Sequence, residues 1–261
     1  MTRFILCAAY MGLLYAFIFL PVAVLALFSF QDGRLPVPPF QGFTLRWHEA
    51  VFADRRLMAA LANSLVVGFA SSALATTLGF LAARGLARAG VVRAPGAGLV
   101  RAALLAPLSV SYLVIGLGLL ATLNLAGVGL SLWTVGIGHV VINTPLSFAI
   151  CASALGERQV RAEQAARDLG APEWRVMTLV TAPMIAPALV ASFLLSLTFS
   201  WDEFVIAFLL SRFDVTLPVE IFSLLRSGLS PKSNAVGSLV FFASALAVLA
   251  VELATIRRGR A

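Results

Sequence analysis

Asp202 and Glu203 stand side by side inside an apolar run that extends over about Met184–Leu210. A carboxylate at the centre of a bilayer costs about 2.5–3.5 kcal/mol. Such a group normally faces a bundle interior or a wet cavity, where it marks a functional position. The chemistry within its reach is attraction of a cation. Counting from Met184 at a rise of about 1.5 Å per residue, Asp202 lies about 27 Å along the helix, in the outer half of a membrane. Adjacent helical residues point about 100° apart, so the two acids are assigned different tasks. Asp202 faces a translocation path, and Glu203 faces a partner subunit or another polar group. The alternative is that both cap a kink or pair with an arginine such as Arg212. Trp201 either stacks on an alkylammonium chain through cation–π attraction or anchors the helix at the lipid interface.

Other groups capable of chemistry are few. A phosphate-cradling loop needs Gly-x-x-x-x-Gly-Lys-Ser/Thr. The single lysine, Lys232, follows Pro231 rather than glycine, so the chain is expected to bind no nucleotide. His139 is the one histidine within an apolar run, and no serine sits in a nucleophile-elbow context beside it. It reads as a buried, hydrogen-bonded residue, and no catalytic residue is assigned. Cys7 and Cys151 lie in apolar runs without metal-ligand neighbours and read as small buried hydrophobes, so no metal site is expected. Glu252, near Arg257 and Arg258, reads as snorkelling or paired. Asn124 and Asn143 read as interhelical hydrogen-bonding residues.

The elements that position these groups follow from composition. Of 261 residues, 60% are hydrophobic and only 12% charged, with a mean hydropathy of +0.96. A soluble domain carries about 25% charged residues, so the fold class is an all-α membrane protein. A span needs roughly 20 apolar residues, and six runs qualify: 4–30, 57–81, 102–125, 132–155, 184–210 and 235–256. The first is too long for the core of a signal peptide and reads as an uncleaved span, loosened at Pro21. With both termini on one side, that side holds twelve of the nineteen basic residues, including Arg3, Arg84, Arg88, Arg93, Arg101, Arg158, Arg167 and Arg260. The excess of positive charge places both termini and the 156–183 loop in the cytoplasm. The same logic assigns the net charge of +7 to orientation in lipid rather than to nucleic acid. One transmembrane domain, 1–261, is expected.

The 156–183 loop is a charged island in this apolar chain. Arg158 to Leu169 lacks Pro and Gly and favours a helix. Gly170 suits a left-handed cap, and Pro172 with Glu173 suits the start of a second helix. The expected form is helix, glycine hinge, helix, with Ala165 and Ala166 offering a surface that a groove can approach closely.

This pattern resembles the cytoplasmic signature of the permease subunits of ABC importers: Glu-Ala-Ala, three residues, Gly, nine residues, Ile-x-Leu-Pro. Gln164-Ala165-Ala166, Gly170 and Val180-Thr181-Ala182-Pro183 keep that spacing. Gln164 stands in the Glu position with Glu163 adjacent, and Val180 and Ala182 replace Ile and Leu. A finer resemblance, to the second permease of spermidine/putrescine importers, is carried by three segments. These are Gln41-Gly-Phe-Thr-Leu-Arg46-Trp47, Phe199-Ser-Trp-Asp-Glu-Phe-Val205, and Thr216-Leu-Pro218 through Ser230-Pro231-Lys-Ser-Asn234-Ala235.

The resemblance implies the type I ABC importer permease (MetI-like) architecture. It also implies a coupling loop comprising Glu163, Gln164, Ala165, Ala166, Asp168, Gly170 and Pro183. The implied partners are a second permease, two copies of a cytoplasmic ATPase that use ATP and Mg, and a periplasmic solute-binding protein, all around a chain that binds no cofactor itself. Polyamine is the first cargo expected. Rival readings are an amino acid derivative or aminophosphonate as cargo, an ion-coupled secondary transporter, and an intramembrane enzyme dependent on His139.

Overall fold

The computed structural model describes residues 2–91 and 96–258; Arg93 and Arg260 lie outside them, as do the side chains of Arg3, Glu252, Arg257 and Arg258. The described residues are helical almost throughout and form two compact units, Ala60–Val219 and Met1–Ala59 with Glu220–Ala261. In chain order the helices are α1 (Thr2–Phe28), α2 (Arg46–Ala53), α3 (Arg55–Val91), α4 (Ala97–Leu105), α5 (Tyr112–Leu125), α6 (Leu132–Ala154) and α7 (Glu157–Asp168). They continue with α8 (Glu173–Arg175), α9 (Ala182–Met184), α10 (Ala186–Asp202), α11 (Val205–Leu210), α12 (Leu217–Ser227) and α13 (Pro231–Arg258). A 3₁₀ turn, Ala106–Ser109, follows α4, and a π-helical turn, Val176–Thr181, joins α8 to α9.

Among the described residues, three single helices are long and apolar enough to cross a membrane: Leu6–Phe28, Arg55–Arg88 and Leu132–Ala154. They fall on the first, second and fourth expected spans, and α1 remains helical through Pro21. The third and fifth expected spans are not straight helices. The third bends by 106° between Ala97–Ser109 and Tyr112–Leu125. Pro107 opens the 3₁₀ turn there, and Val110 is extended at φ −104°, ψ 137°. At the start of the fifth, 184–210, the chain bends by 79° between Glu173–Met184 and Ala186–Asp202. Pro187 supplies the cause. It has no N–H to donate and its ring crowds the preceding turn, so it fits best in the first turn of a restarted helix. A second break, at Glu203, separates α10 from α11, with Glu203 extended at ψ 115°.

In the larger unit, Val67, Val135, Ile142, Ile206, Ala207, Leu210 and Val219 form one buried cluster. Phe80, Ala83, Phe148, Cys151 and Ile185 form another. Cys151 is buried as expected, but Cys7 is exposed, because little of α1 is covered within the chain. The smaller unit packs α13 on α1 and on α2. Its 29–45 segment is organised by Gln31, which is fully buried. The Gln31 amide donates to the carbonyls of Val37 and Pro39, and its Oε1 accepts from the Gln41 amide at 3.1 Å. Trp47 Nε1 donates to the Gln31 carbonyl at 2.8 Å. His48 stacks on Phe30 with ring centroids 4.6 Å apart, and Lys232 pairs with Asp54 at 2.5 Å.

Candidate functional site

Two polar assemblies interrupt the hydrocarbon of the larger unit: an ionic cluster under the 157–184 hairpin and a hydroxyl-rich seam between α3, α6 and α10.

The hairpin begins with α7, whose surface is tied by an i,i+4 pair of Glu157 and Arg161 at 2.7 Å. Gly170 ends the helix at φ +83°. That left-handed residue lets the Ala171 amide donate to the Ala166 carbonyl at 3.0 Å and the Gly170 amide to the Arg167 carbonyl at 2.8 Å, closing the last turn. Pro172, extended at ψ 154°, then starts α8. The second arm is helical as expected, but its middle turn is wound as a π-helix, and Thr181 Oγ1 lies 3.2 Å from the Val176 carbonyl five residues back.

Glu163 lies beneath this hairpin, 2% exposed. Its Oε1 accepts from Arg84 Nε at 3.2 Å, from Thr181 Oγ1 at 2.6 Å, and from the Gln159 amide. Its Oε2 accepts from Arg167 Nη2 at 2.6 Å and Arg88 Nη2 at 3.2 Å. Glu173, half-exposed, accepts from Arg84 at 3.1 Å, Arg88 at 2.5 Å and Arg167 at 2.7 Å. The six side chains Arg84, Arg88, Gln159, Glu163, Arg167 and Glu173 also line a cavity of about 330 Å³. The opposite face of the hairpin is open. Gln164, Ala165, Asp168 and Gly170 are exposed, and Leu169 (89%) and Trp174 (59%) present bare apolar surface. Pro183 is exposed at the start of α9. Of the coupling-loop residues, Glu163 is buried, Ala166 is half-buried, and Gln164, Ala165, Asp168, Gly170 and Pro183 are exposed, with Gln164 also lining the cavity that holds Glu163.

The charge pattern treats Arg84, Arg88 and Arg167 only as orienting charges, and it assigns no role to Thr181. The available signal was spacing. Arg84 and Arg88 are four apart, as are Glu163 and Arg167, so each pair lies on one helical face.

The electrostatics set a pH window. Burial pushes the Glu163 carboxyl up, but the Thr181 hydroxyl and the Arg84 guanidinium outweigh it and hold the group below the usual carboxylate range. Hydrogen bonds from Arg88 and Arg167 bring Glu173 down to about 2. Both folded-state values are depressed, so the contribution of the cluster is complete above the ordinary carboxylate value, about 4.3. It is lost as pH falls through the folded-state values. A nitroxide on Leu169→Cys, in a background lacking Cys7 and Cys151, should therefore report an unchanged hairpin from pH 8 to pH 5. It should report loosening only below about pH 4. A mobility change centred near pH 6–7 would contradict this assignment.

The seam is built on Ser192, Ser196 and Ser200, which repeat every four residues and so line one face of α10. Ser200 Oγ bonds Ser71 Oγ at 3.2 Å and His139 Nδ1 at 2.5 Å. Ser196 Oγ bonds Ser147 Oγ at 3.0 Å, and its carbonyl accepts from Asn143 at 3.3 Å. His139, 1% exposed, is the buried, hydrogen-bonded residue its context suggested. Asn143 bonds between helices as expected, whereas Asn124 is exposed near the end of α5. The serine ladder went unread because hydropathy averaging treats small hydroxyls as neutral.

At the end of this ladder the two acids separate. Asp202, the last residue of α10, is exposed. Glu203 is 5% exposed and caps α11: Oε1 accepts from the Val205 amide at 3.0 Å, and Oε2 from Ile206 at 2.9 Å and Ala207 at 3.2 Å. His139 Nε2 stands 3.8 Å from Glu203 Oε2. Glu203 thus caps a kink, the alternative left open for both acids. Arg212 lies over the Phe213 ring at 5.0 Å. Trp201 is half-buried.

No protein-family model matches the chain. The chain is 31% identical over 256 residues to the spermidine/putrescine transport system permease protein PotC of Haemophilus influenzae, covering 98% of each. It is 32% identical over 233 residues to the putrescine transport system permease protein PotI of Escherichia coli K12, covering 87% of this chain and 82% of that one. Its fold matches a chain of a bacterial ABC transporter involved in import of the acidic polysaccharide alginate. That match has a TM-score of 0.70 and 16% identity, over 97% of this chain and 95% of the other. A helical, multi-pass membrane chain with a capped polar hairpin before its fifth apolar run, alike from end to end to PotC, belongs to the family of membrane-spanning ABC importer permeases that includes PotC and PotI.

Proposed function

We propose that this chain is the permease subunit of an ATP-driven importer that carries a polyamine such as spermidine or putrescine across a bacterial inner membrane. The observation that carries the reading is the similarity to PotC over 98% of both chains. In this reading the chain forms one transmembrane domain of six spans with both termini in the cytoplasm. The bent 97–125 segment, the broken 184–210 segment and α13 complete the set begun by the three straight helices. A second, related permease shares the translocation path, and a periplasmic binding protein delivers the cargo. Two ATPase subunits bind ATP and Mg. They receive the outward face of the hairpin, which includes Gln164, Ala165, Asp168, Gly170, Leu169 and Trp174.

Asp202 supports the choice of a cationic cargo. It is a carboxylate exposed at the end of a broken helix, where a wet path lets it attract an ammonium group without the cost of burial. Beside it, Trp201 offers an aromatic face to the alkyl chain. Asp202→Asn, expressed at the wild-type level, should lower uptake of labelled spermidine at subsaturating concentration by about tenfold, the effect of losing about 1.4 kcal/mol of attraction. Uptake with an unchanged KM and rate would remove Asp202 from the path. Uptake that persists without ATP hydrolysis and collapses with the proton gradient would replace the importer reading by an ion-coupled one.

A further inference from the structure

We infer that Glu163 is a positioning residue for energy coupling: it pins the hairpin to the inner end of α3, so that a push on the hairpin moves the second span directly. The inference rests on the importer reading and adds the route by which force leaves the hairpin.

Three observations carry it. First, α3 outlasts its apolar run. The hydrophobic stretch ends near Leu81, yet the helix continues to Val91. That extension carries Arg84 and Arg88 on one face, and both reach the hairpin. Second, one buried carboxylate joins three pieces of chain. Glu163 sits on α7, Thr181 on the π-helical turn of the second arm, and Arg84 and Arg88 on α3. Glu173, on the second arm, binds the same three arginines from the solvent side. A carboxylate with so little exposed surface cannot also meet a docking protein. Third, the covalent route from hairpin to span is bent. The chain turns by 79° at Ile185 before α10 begins, and Pro187 leaves that junction short of a helical hydrogen bond. A bend of this kind transmits a push poorly, whereas the charge-assisted bonds from Arg84 and Arg88 to Glu163 and Glu173 run straight from α3 to both arms of the hairpin.

The test uses the assembled transporter in proteoliposomes, with the ATPase, second permease and binding protein present. Two readings are taken on the wild type, Glu163→Ala and Glu163→Gln. One is spermidine taken up per ATP hydrolysed. The other is the dipolar distance between nitroxides on Gly85→Cys (α3) and Arg161→Cys (α7), with and without ATP. In the wild type the distance should stay single and constant through the cycle. In Glu163→Ala it should broaden on addition of ATP. ATP hydrolysis should stay within about twofold of wild type, and uptake per ATP should fall by tenfold or more. Glu163→Gln keeps the size and one acceptor oxygen, so it should assemble and fall between the two. That variant decides the matter if the alanine chain does not assemble.

A coupled wild type together with equally coupled variants would overturn the inference alone, as would a hairpin-to-α3 distance unaffected in both variants. A wild type without ATP-driven uptake would remove the importer reading, and the inference with it.

Discussion

Glu203→Ala is expected to unfold the end of the α10–α11 region and to lower the thermal midpoint of the purified chain more than any surface substitution. The carboxylate accepts three backbone N–H groups, those of Val205, Ile206 and Ala207. Ile206 and Ala207 are fully buried, so their amides have no water to turn to. Leaving a buried donor unpaired costs about 1–3 kcal/mol. With two such donors, and a third partly buried, the loss should exceed about 3 kcal/mol. It should spread, because Ile206, Ala207 and Leu210 belong to the cluster that α6 also enters.

The Leu210 carbonyl accepts from Thr134 Oγ1 at 2.8 Å, so α11 is fastened to α6 at its far end too. Glu203→Gln retains one acceptor oxygen but turns an amide NH₂ toward backbone donors, and should lose roughly half as much. Thermal unfolding in detergent, read by the loss of helical circular dichroism, ranks the three chains. If Glu203→Ala melts with the wild type, the cap contributes nothing and the acid must have another task. Asp202→Asn, made at the neighbouring exposed residue, should leave the midpoint unchanged while reducing uptake. The two substitutions therefore separate a structural acid from a transport acid at adjacent positions.

That separation also shows what was legible in the sequence. Periodicity alone placed Asp202 and Glu203 on different faces, but it could not say which faced inward. The deciding fact is the break after Asp202, and breaks are local backbone events that hydropathy averaging passes over. The same averaging hid the bends at Ile185 and Val110, although Pro187 and Pro107 were there to be read. Gly170, Pro172 and the absence of helix breakers between Arg158 and Leu169 specified the hairpin well, because caps and propensities act within a few residues. The partners of Glu163 were harder to see. Arg84 lies 79 residues away along the chain, and only the packing of α3 against the hairpin brings the two together. The π-helical turn that presents Thr181 left no recognisable mark in composition.

Gly79→Ala should be the most damaging substitution after the loss of the Glu203 cap, even though it adds one methyl group. A Cβ at Gly79 would lie 2.5 Å from the Phe148 amide nitrogen and 2.5 Å from Ser147 Cβ. Both belong to α6, and a backbone atom has no rotamer through which to escape. The helices must therefore move apart or tilt, opening the contact that buries Phe80, Phe148 and Cys151. Overpacking of a tight core costs about 1–3 kcal/mol, and small residues are what allow membrane helices to approach closely.

Two neighbouring glycines supply the controls. At Gly138 the added Cβ meets side-chain atoms only, Ile206 Cγ2 and, at 2.9 Å, Leu210 Cδ1, and a side chain gives way at less cost than a neighbouring helix backbone. Gly138→Ala should accordingly cost less than Gly79→Ala. At Gly85, on the same helix as Gly79, nothing lies within 4 Å, so Gly85→Ala should stabilise α3 by up to about 1 kcal/mol through helix propensity. The predicted order of thermal midpoints is Gly85→Ala, wild type, Gly138→Ala, Gly79→Ala. A Gly79→Ala chain at or above the wild-type midpoint would mean that α3 and α6 do not cross at Ser147. The position of Arg84 and Arg88 beneath the hairpin, set by the same helix within about three turns, would then have to be redrawn as well.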